Sequence, residues 1–151
     1  MHVCGQVSRY NNEGTHLTLR EHVRSHTATL LRRLAFQVRQ TSLRTDEEAV
    51  HDLRVAIRRL RECLRTFKTL YPPTPRKKVR KELRKLMKLA EMVRSADIAL
   101  GLLKKAGTEE NVPLMQEIHK ERDRCRVALH EELKALTGRR YTRNWREGLG
   151  L

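Results

Sequence analysis

Apolar residues recur three and four positions apart in four long stretches, the spacing of one buried face on a helix. Leu19, Val23, Leu30, Leu34 and Val38 predict a first helix over about 17–40, with Thr15 or His16 near its cap. The segment TSLRT then reads as a linker. Thr45 and Glu48 have the spacing of a capping box, so a second helix is expected to start there. It should run to about Tyr71, where YPPTP removes donors and breaks the helix. Thr74 is the expected cap of a third helix, with Pro75 at its first position. Val79, Leu83, Leu86, Ala90 and Val93 form its apolar face to about Lys105, and Gly101 weakens its end. Gly107 closes that helix and Thr108 opens the next cap. A fourth helix over roughly 110–136 buries Ile118, Cys125, Leu129, Leu133 and Leu136, and Thr137-Gly138 stops it. The tail RRYTRNWREGLGL has room for one short helix, with Tyr141 and Trp145 four apart and sealing the bundle end. No strand pattern is present. The pattern predicts an all-α protein, an antiparallel four-helix bundle with a short C-terminal helix. Residues 1–14 read as a flexible tail and 15–151 as a single helical domain.

A chain of 151 residues suits one modest core. No stretch approaches the 18 or so apolar residues that span a bilayer, so no membrane partner is expected. The opening MHVCGQVSRYNNEG lacks the apolar core of a secretory signal. Cys4, Cys63 and Cys125 are widely spaced and form no CxxC pair. They are expected to be reduced, packed thiols of a cytoplasmic protein. No Gly-rich phosphate loop, Ser-His-Asp set or carboxylate metal cluster is visible. Neither a catalytic centre nor a cofactor is expected.

Charge changes the picture most. Thirty-three Lys and Arg face 18 Asp and Glu, for a formal net charge of +15. Such a chain repels itself and calls for a polyanion: nucleic acid, an anionic membrane or a phosphate polymer. Fourteen of the cations fall between His51 and Leu89, opposed by Asp52, Glu62 and Glu82 alone.

The second helix interleaves two stripes. Val50, Leu53, Ile57, Leu60, Leu64 and Phe67 are spaced alternately three and four apart, as are His51, Arg54, Arg58, Arg61, Arg65 and Lys68. The offset of one residue is about 100° of rotation, which sets a basic row of roughly 25 Å beside the core stripe. Like charges one turn apart cost a few tenths of a kcal/mol each. Either an external anion relieves them or carboxylates from other helices do. Lys77, Lys81, Arg84 or Lys85, and Lys88 form a second row on the third helix. If the two helices are antiparallel neighbours, the rows face a shared groove. Guanidinium forks and ammonium point charges in two rows suit closely repeated phosphates.

At these residues a family resemblance enters. HDLRVAIRRLRECLRTF, followed by LMKLAEMVRSADIAL, resembles the conserved histidine α-helical domain, CHAD. The first run matches at His51, Arg54, Val55, Arg58, Arg59, Leu60 and Arg61, and the second at Arg94 and Asp97. Ser95 stands where the family has an aspartate, and Glu91 where a glycine is common. The resemblance implies an all-helical fold that binds inorganic polyphosphate through basic residues, without catalysis. The candidate binding residues are then His51, Arg54, Arg58, Arg59, Arg61, Arg65, Lys68, Lys77, Lys81, Arg84, Lys85, Lys88 and Arg94. Association with polyphosphate granules stays open. Family domains usually comprise two four-helix repeats, and this chain has the length of about one. A groove completed by homodimerisation and a groove that works alone both stay open.

Other patterns weigh less. A phosphotransfer histidine would be followed by lysine and glycine, whereas His51 precedes Arg54 and Val55. Glu47, one turn earlier, is placed to hold the His51 ring. His22 and His26 have a chelating spacing but no evident third ligand, and read as a surface pair. His119, Arg122 and Arg126 read as a solvated face diluted by Glu121, Asp123, Glu131 and Glu132. Nucleic acid is the alternative partner. It shares the electrostatics, but aromatics are only 4% of the chain, which leaves little for base stacking. A bundle that docks an acidic protein is a third reading.

Overall fold

The computed structural model describes residues 18–110 and 112–151. The proposed tail at 1–14, Cys4, and the cap expected at Thr15 or His16 lie outside the described residues. Five α-helices appear in chain order: α1 (Leu19–Leu43), α2 (Glu47–Thr66), α3 (Pro73–Lys105), α4 (Pro113–Gly138) and α5 (Tyr141–Leu149). A 3-10 turn over Lys68–Leu70 joins α2 to α3. The described residues contain no strand.

The helix ends differ from the sequence expectation in instructive ways. Thr18 caps α1, and a reciprocal capping box links its side chain and backbone to Glu21. Helix α1 continues through Thr41 and Ser42, whose hydroxyls donate to the carbonyls of Gln37 and Val38 inside the same helix. The linker is therefore shorter than TSLRT. Asp46, not Thr45, caps α2 by accepting from the Ala49 amide at 2.8 Å. Thr45 instead donates back to the Thr41 carbonyl. Pro72 occupies the cap position of α3 and Pro73 its first turn, two residues ahead of the expected Thr74 and Pro75. Gly107 does end α3, with φ of 77°. Its amide donates to the Lys104 carbonyl and that of Thr108 to the Leu103 carbonyl, both at 3.0 Å. That pair of bonds is a Schellman motif, so Thr108 finishes α3 rather than opening α4.

The apolar stripes meet in one core. Leu34, Val38, Leu53, Ile57, Leu60, Leu64, Leu83, Leu129 and Leu133 are completely or almost completely sequestered. Leu19 is 68% exposed, and Thr27 and Leu31 take part in the buried face of α1 in its place; Phe67 and Ile118 are only half-buried. Helix α1 packs on α2, α2 on α3, α3 on α4, and α4 back on α1. Cross-helix contacts set the directions. Thr27 meets Cys63 while the later Thr41 meets the earlier Ala49. Lys85 meets Glu132 while the later Asp97 meets the earlier Arg122. Both neighbouring pairs therefore run antiparallel. Helix α5 closes one end. Tyr141 and Trp145 are buried and meet edge to face at 5.0 Å. The backbone of Gly148 approaches Pro75 so closely that an added Cβ would lie 3.0 Å from the proline ring.

Cys63 and Cys125 are free and buried. Burial pushes the Cys125 thiol up, with Glu121 adding to the effect, so it is a poor thiolate. Thr27 ties α1 to the α2–α3 connection through a 2.5 Å hydrogen bond with the Tyr71 hydroxyl. Among the described residues no helix is long and apolar enough to cross a membrane.

Candidate functional site: a basic surface between α2 and α3

The core stripe of α2 fixes where its basic stripe points. At 100° per residue, Arg54, Arg58, Arg61 and Arg65 fall within an arc of roughly 60°, on one flank of that stripe. Glu47 lies in the same arc and forms an ion pair with Arg94 of α3. The basic flank therefore faces α3. Arg54 and Arg61, nearest the seam, are half-buried, and Arg58 and Arg65 stand out in solvent. Their stems cover apolar surface while the heads stay wet.

The same pair orients α3. Arg76, Arg80 and Met87 share the flank of Arg94 that faces α2, within about 40°. Lys77, Lys81, Arg84 and Lys88 occupy the adjoining, solvent-facing arc and are exposed. Antiparallel register from the Glu47–Arg94 pair carries Arg54 toward Arg84, while Lys88 lies farther round α3, in a cleft with Ile118 and Glu121 of α4. The same register carries Arg61 and Arg65 toward Arg76 and Arg80. The two rows do share one surface, about 16–21 Å long at 1.5 Å per residue.

Most of these cations have no carboxylate of their own. Arg54, Arg58, Arg61, Lys77, Lys81, Arg84 and Lys88 enter no ion pair among the described residues, nor do Arg76 and Arg80. The Nε atoms of Arg54, Arg76 and Arg80 are buried without a hydrogen-bond partner. Three of the expected residues are engaged internally. Arg65 lies 2.6 Å from Glu62, one turn back on its own helix. Lys85 lies 2.5 Å from Glu132 on α4, which turns it away from α2. Arg94 is held by Glu47. Carboxylates thus sit at the margins: Glu47 and Glu48 at the His51 end, Glu62 along the outer edge of α2, and Glu91 on the α4 side of α3.

Two further expected residues sit elsewhere. Arg59 is on the opposite flank of α2, where it lines a cleft with Arg32, Arg33 and Phe36 of α1. Its place in the R-R doublet puts it about 100° from Arg58 and out of the groove. Lys68 falls in the 3-10 turn, so the helical row ends at Arg65. His51 is exposed at the upper edge, beside Glu47, Glu48 and Arg94. Glu47 holds Arg94 rather than the His51 ring.

Arg76 and Arg80 are groove residues that sequence reasoning left out of the site. Their i,i+4 spacing was visible, but which flank of α3 meets α2 depends on the handedness of the bundle. The row His119, Arg122, Arg126 is also not the solvated face expected. Arg122 pairs with the buried Asp97 at 2.6 Å, and Arg126 donates to the Thr45 carbonyl. His119 bonds Glu110 at 3.2 Å, and Glu110 also holds Lys104. All three fasten α4 to its neighbours. His22 and His26 are exposed on α1. Among the described residues no three His, Cys, Asp or Glu side chains converge as a metal site.

A basic seam on an antiparallel bundle defines a helical module with one strongly cationic surface, and comparison with known families places it further. The family model for the CHAD domain matches residues 21–150. The chain belongs to the CHAD domain family. No curated protein and no solved structure matched it. The two positions that carry the second family element, Arg94 and Asp97, are the ones that bind α3 to α2 and to α4. Ser95 is exposed and takes no part in either pair.

Proposed function

We propose that this chain is a non-catalytic binding module for inorganic polyphosphate, held on the α2–α3 surface. The observation that carries the reading is the uncompensated seam. Arg54, Arg58 and Arg61 face Arg76, Arg80 and Arg84 with no carboxylate between them. Seven or more fixed cations in two rows match an anion with closely repeated phosphates, whereas one small phosphate would use only a few. The N-terminal end of α3 adds to the field. Its first turn holds no acidic residue and its cap makes no side-chain hydrogen bond. Arg76, Lys77 and Lys78 crowd there, where the helix dipole already disfavours cations. Bound phosphate relieves both penalties. Attachment to polyphosphate granules follows from the same binding.

Retention of labelled long-chain polyphosphate on filters, across a salt series and with duplex DNA as competitor, tests the assignment. Each neutralised phosphate releases counterions, so affinity falls steeply as salt rises. Polyphosphate should outcompete DNA at matched salt, since the seam offers no Asn or Gln for base edges and no exposed aromatic ring. DNA displacing polyphosphate at equal charge concentration would favour nucleic acid instead.

A further inference from the structure

On the other flank of α2 lies a cleft of about 710 Å³ between α1 and α2, within the usual range for small-ligand sites. Its floor is apolar: Leu30 and Ala56 are buried and Val55 is half-buried. Phe36 stands at its wall, 58% exposed. Of the five described aromatic residues, the other four are buried or half-buried, so Phe36 alone offers a ring to solvent. Three guanidiniums, Arg32, Arg33 and Arg59, surround the cleft against the single carboxylate of Asp52, and His51 stands at its rim, between the cleft and the seam. Arg33 and Arg59 make no internal hydrogen bond or ion pair among the described residues, and Arg32 donates only to the Thr29 hydroxyl, at 2.9 Å.

This combination differs from the α2–α3 seam. The seam has cations without an aromatic surface; the cleft has both, in a smaller space. Its walls span about two turns of each helix, roughly 10–12 Å, too short for a partner helix or a long polymer. A flat ring can stack on Phe36 while phosphate oxygens take the guanidinium forks. Asp52 and the Gln37 amide supply an acceptor, and an acceptor and donor, for sugar hydroxyls or a base edge. We propose that the α1–α2 cleft binds a nucleoside polyphosphate, at a site on the opposite flank of α2 that meets the polyphosphate seam only at His51.

The chain contains two phenylalanines, which makes the site readable by NMR with ring-labelled Phe. Phe67 is half-buried at the core margin and serves as the internal reference. Adding ATP should move the Phe36 signal saturably and leave Phe67 in place; Phe36→Ala removes the signal and assigns it. Tripolyphosphate, which has no base, should not reproduce the ring shift. Arg59→Glu should weaken ATP binding by about tenfold or more, the loss of one charge-assisted contact turned to repulsion. Long-chain polyphosphate added to the ATP complex should leave the Phe36 shift intact. A Phe36 signal unmoved by millimolar ATP overturns the proposal. So does reversal of the shift by polyphosphate, which would place ATP on the seam. Neither result touches polyphosphate retention itself, so the two assignments fail separately.

Discussion

The Arg122 guanidinium of α4 lies 2.6 Å from the carboxylate of Asp97 on α3, and that carboxylate is only 5% exposed. Arg94, one turn earlier on α3, holds Glu47 of α2. Residues three apart on one helix thus bind it to both neighbours, and that helix carries half of the basic surface. Removing one partner of a sequestered ion pair strands the other. Asp97→Ala should therefore cost about 3 kcal/mol, a fall in Tm of roughly 6–12 °C for a chain of this size. Replacing the pair together, with Asp97→Leu and Arg122→Met, should recover most of that loss. Thermal unfolding followed by circular dichroism gives both numbers; a single-variant loss below about 1 kcal/mol would show the pair to be incidental.

Trp145 reports on the end closure. It is the only tryptophan, 4% exposed and packed edge to face on Tyr141. Trp145→Ala should cost about 3–5 kcal/mol, as large aromatic truncations in cores do. Intrinsic fluorescence of the wild type should show a shielded emission that shifts to the red only with global unfolding. A red-shifted emission in the native protein would mean that α5 is undocked.

Alkaline pH should destabilise the fold. Burial holds the Tyr141 phenol far above its ordinary range and raises that of Tyr71 too, partly offset by the hydrogen bond between Tyr71 and Thr27. Both shifts favour the neutral phenol in the folded state. Their contribution is complete below the unfolded value of about 10 and is lost as pH rises beyond it. Ultraviolet titration should show these two phenols ionising together with loss of helicity, above pH 10. Ionisation at pH 10 with the helices intact would contradict their burial.

Acid should loosen the α3–α4 connection. Lys104 and then His119 bond the Glu110 carboxylate and hold it below the ordinary value of 4.5. The latch is therefore present above that value and is released as pH falls beneath it. Amide protection around Gly107 and Thr108, relative to intrinsic exchange at each pH, should fall below pH 4.5 before that of the core amides, and Glu110→Gln should show the lower protection already at neutral pH. Equal protection of that turn in Glu110→Gln at pH 7 would remove the latch from the account.

The bundle was legible because its apolar stripes are nearly unbroken: every predicted core position of α3 is buried. Boundaries were less so. Thr45 and Asp46 are adjacent acceptors, and spacing alone could not choose between them; the charged Asp46 carboxylate takes the Ala49 amide and frees Thr45 for α1. The double row on α2 and α3 was visible as periodicity. What periodicity cannot supply is the sense of rotation about the bundle. That sense sends Lys85 to Glu132 and Arg59 to the α1 cleft, and brings Arg76 and Arg80 into the seam. Likewise, Arg122 looked solvated among acidic neighbours on its own helix. Its partner, Asp97, comes from another helix entirely.

Position, rather than total charge, is the central claim, and paired charge reversals at equal net charge test it most directly. Arg58→Glu with Arg61→Glu reverses two seam cations. Arg39→Glu with Lys134→Glu reverses two exposed cations on α1 and α4, away from the α2–α3 seam. With folding checked by circular dichroism, the seam variant should lose retention of long-chain polyphosphate at physiological salt, while the α1/α4 variant keeps near wild-type retention. Equal losses in the two variants would mean that bulk charge, not the α2–α3 seam, holds the polymer.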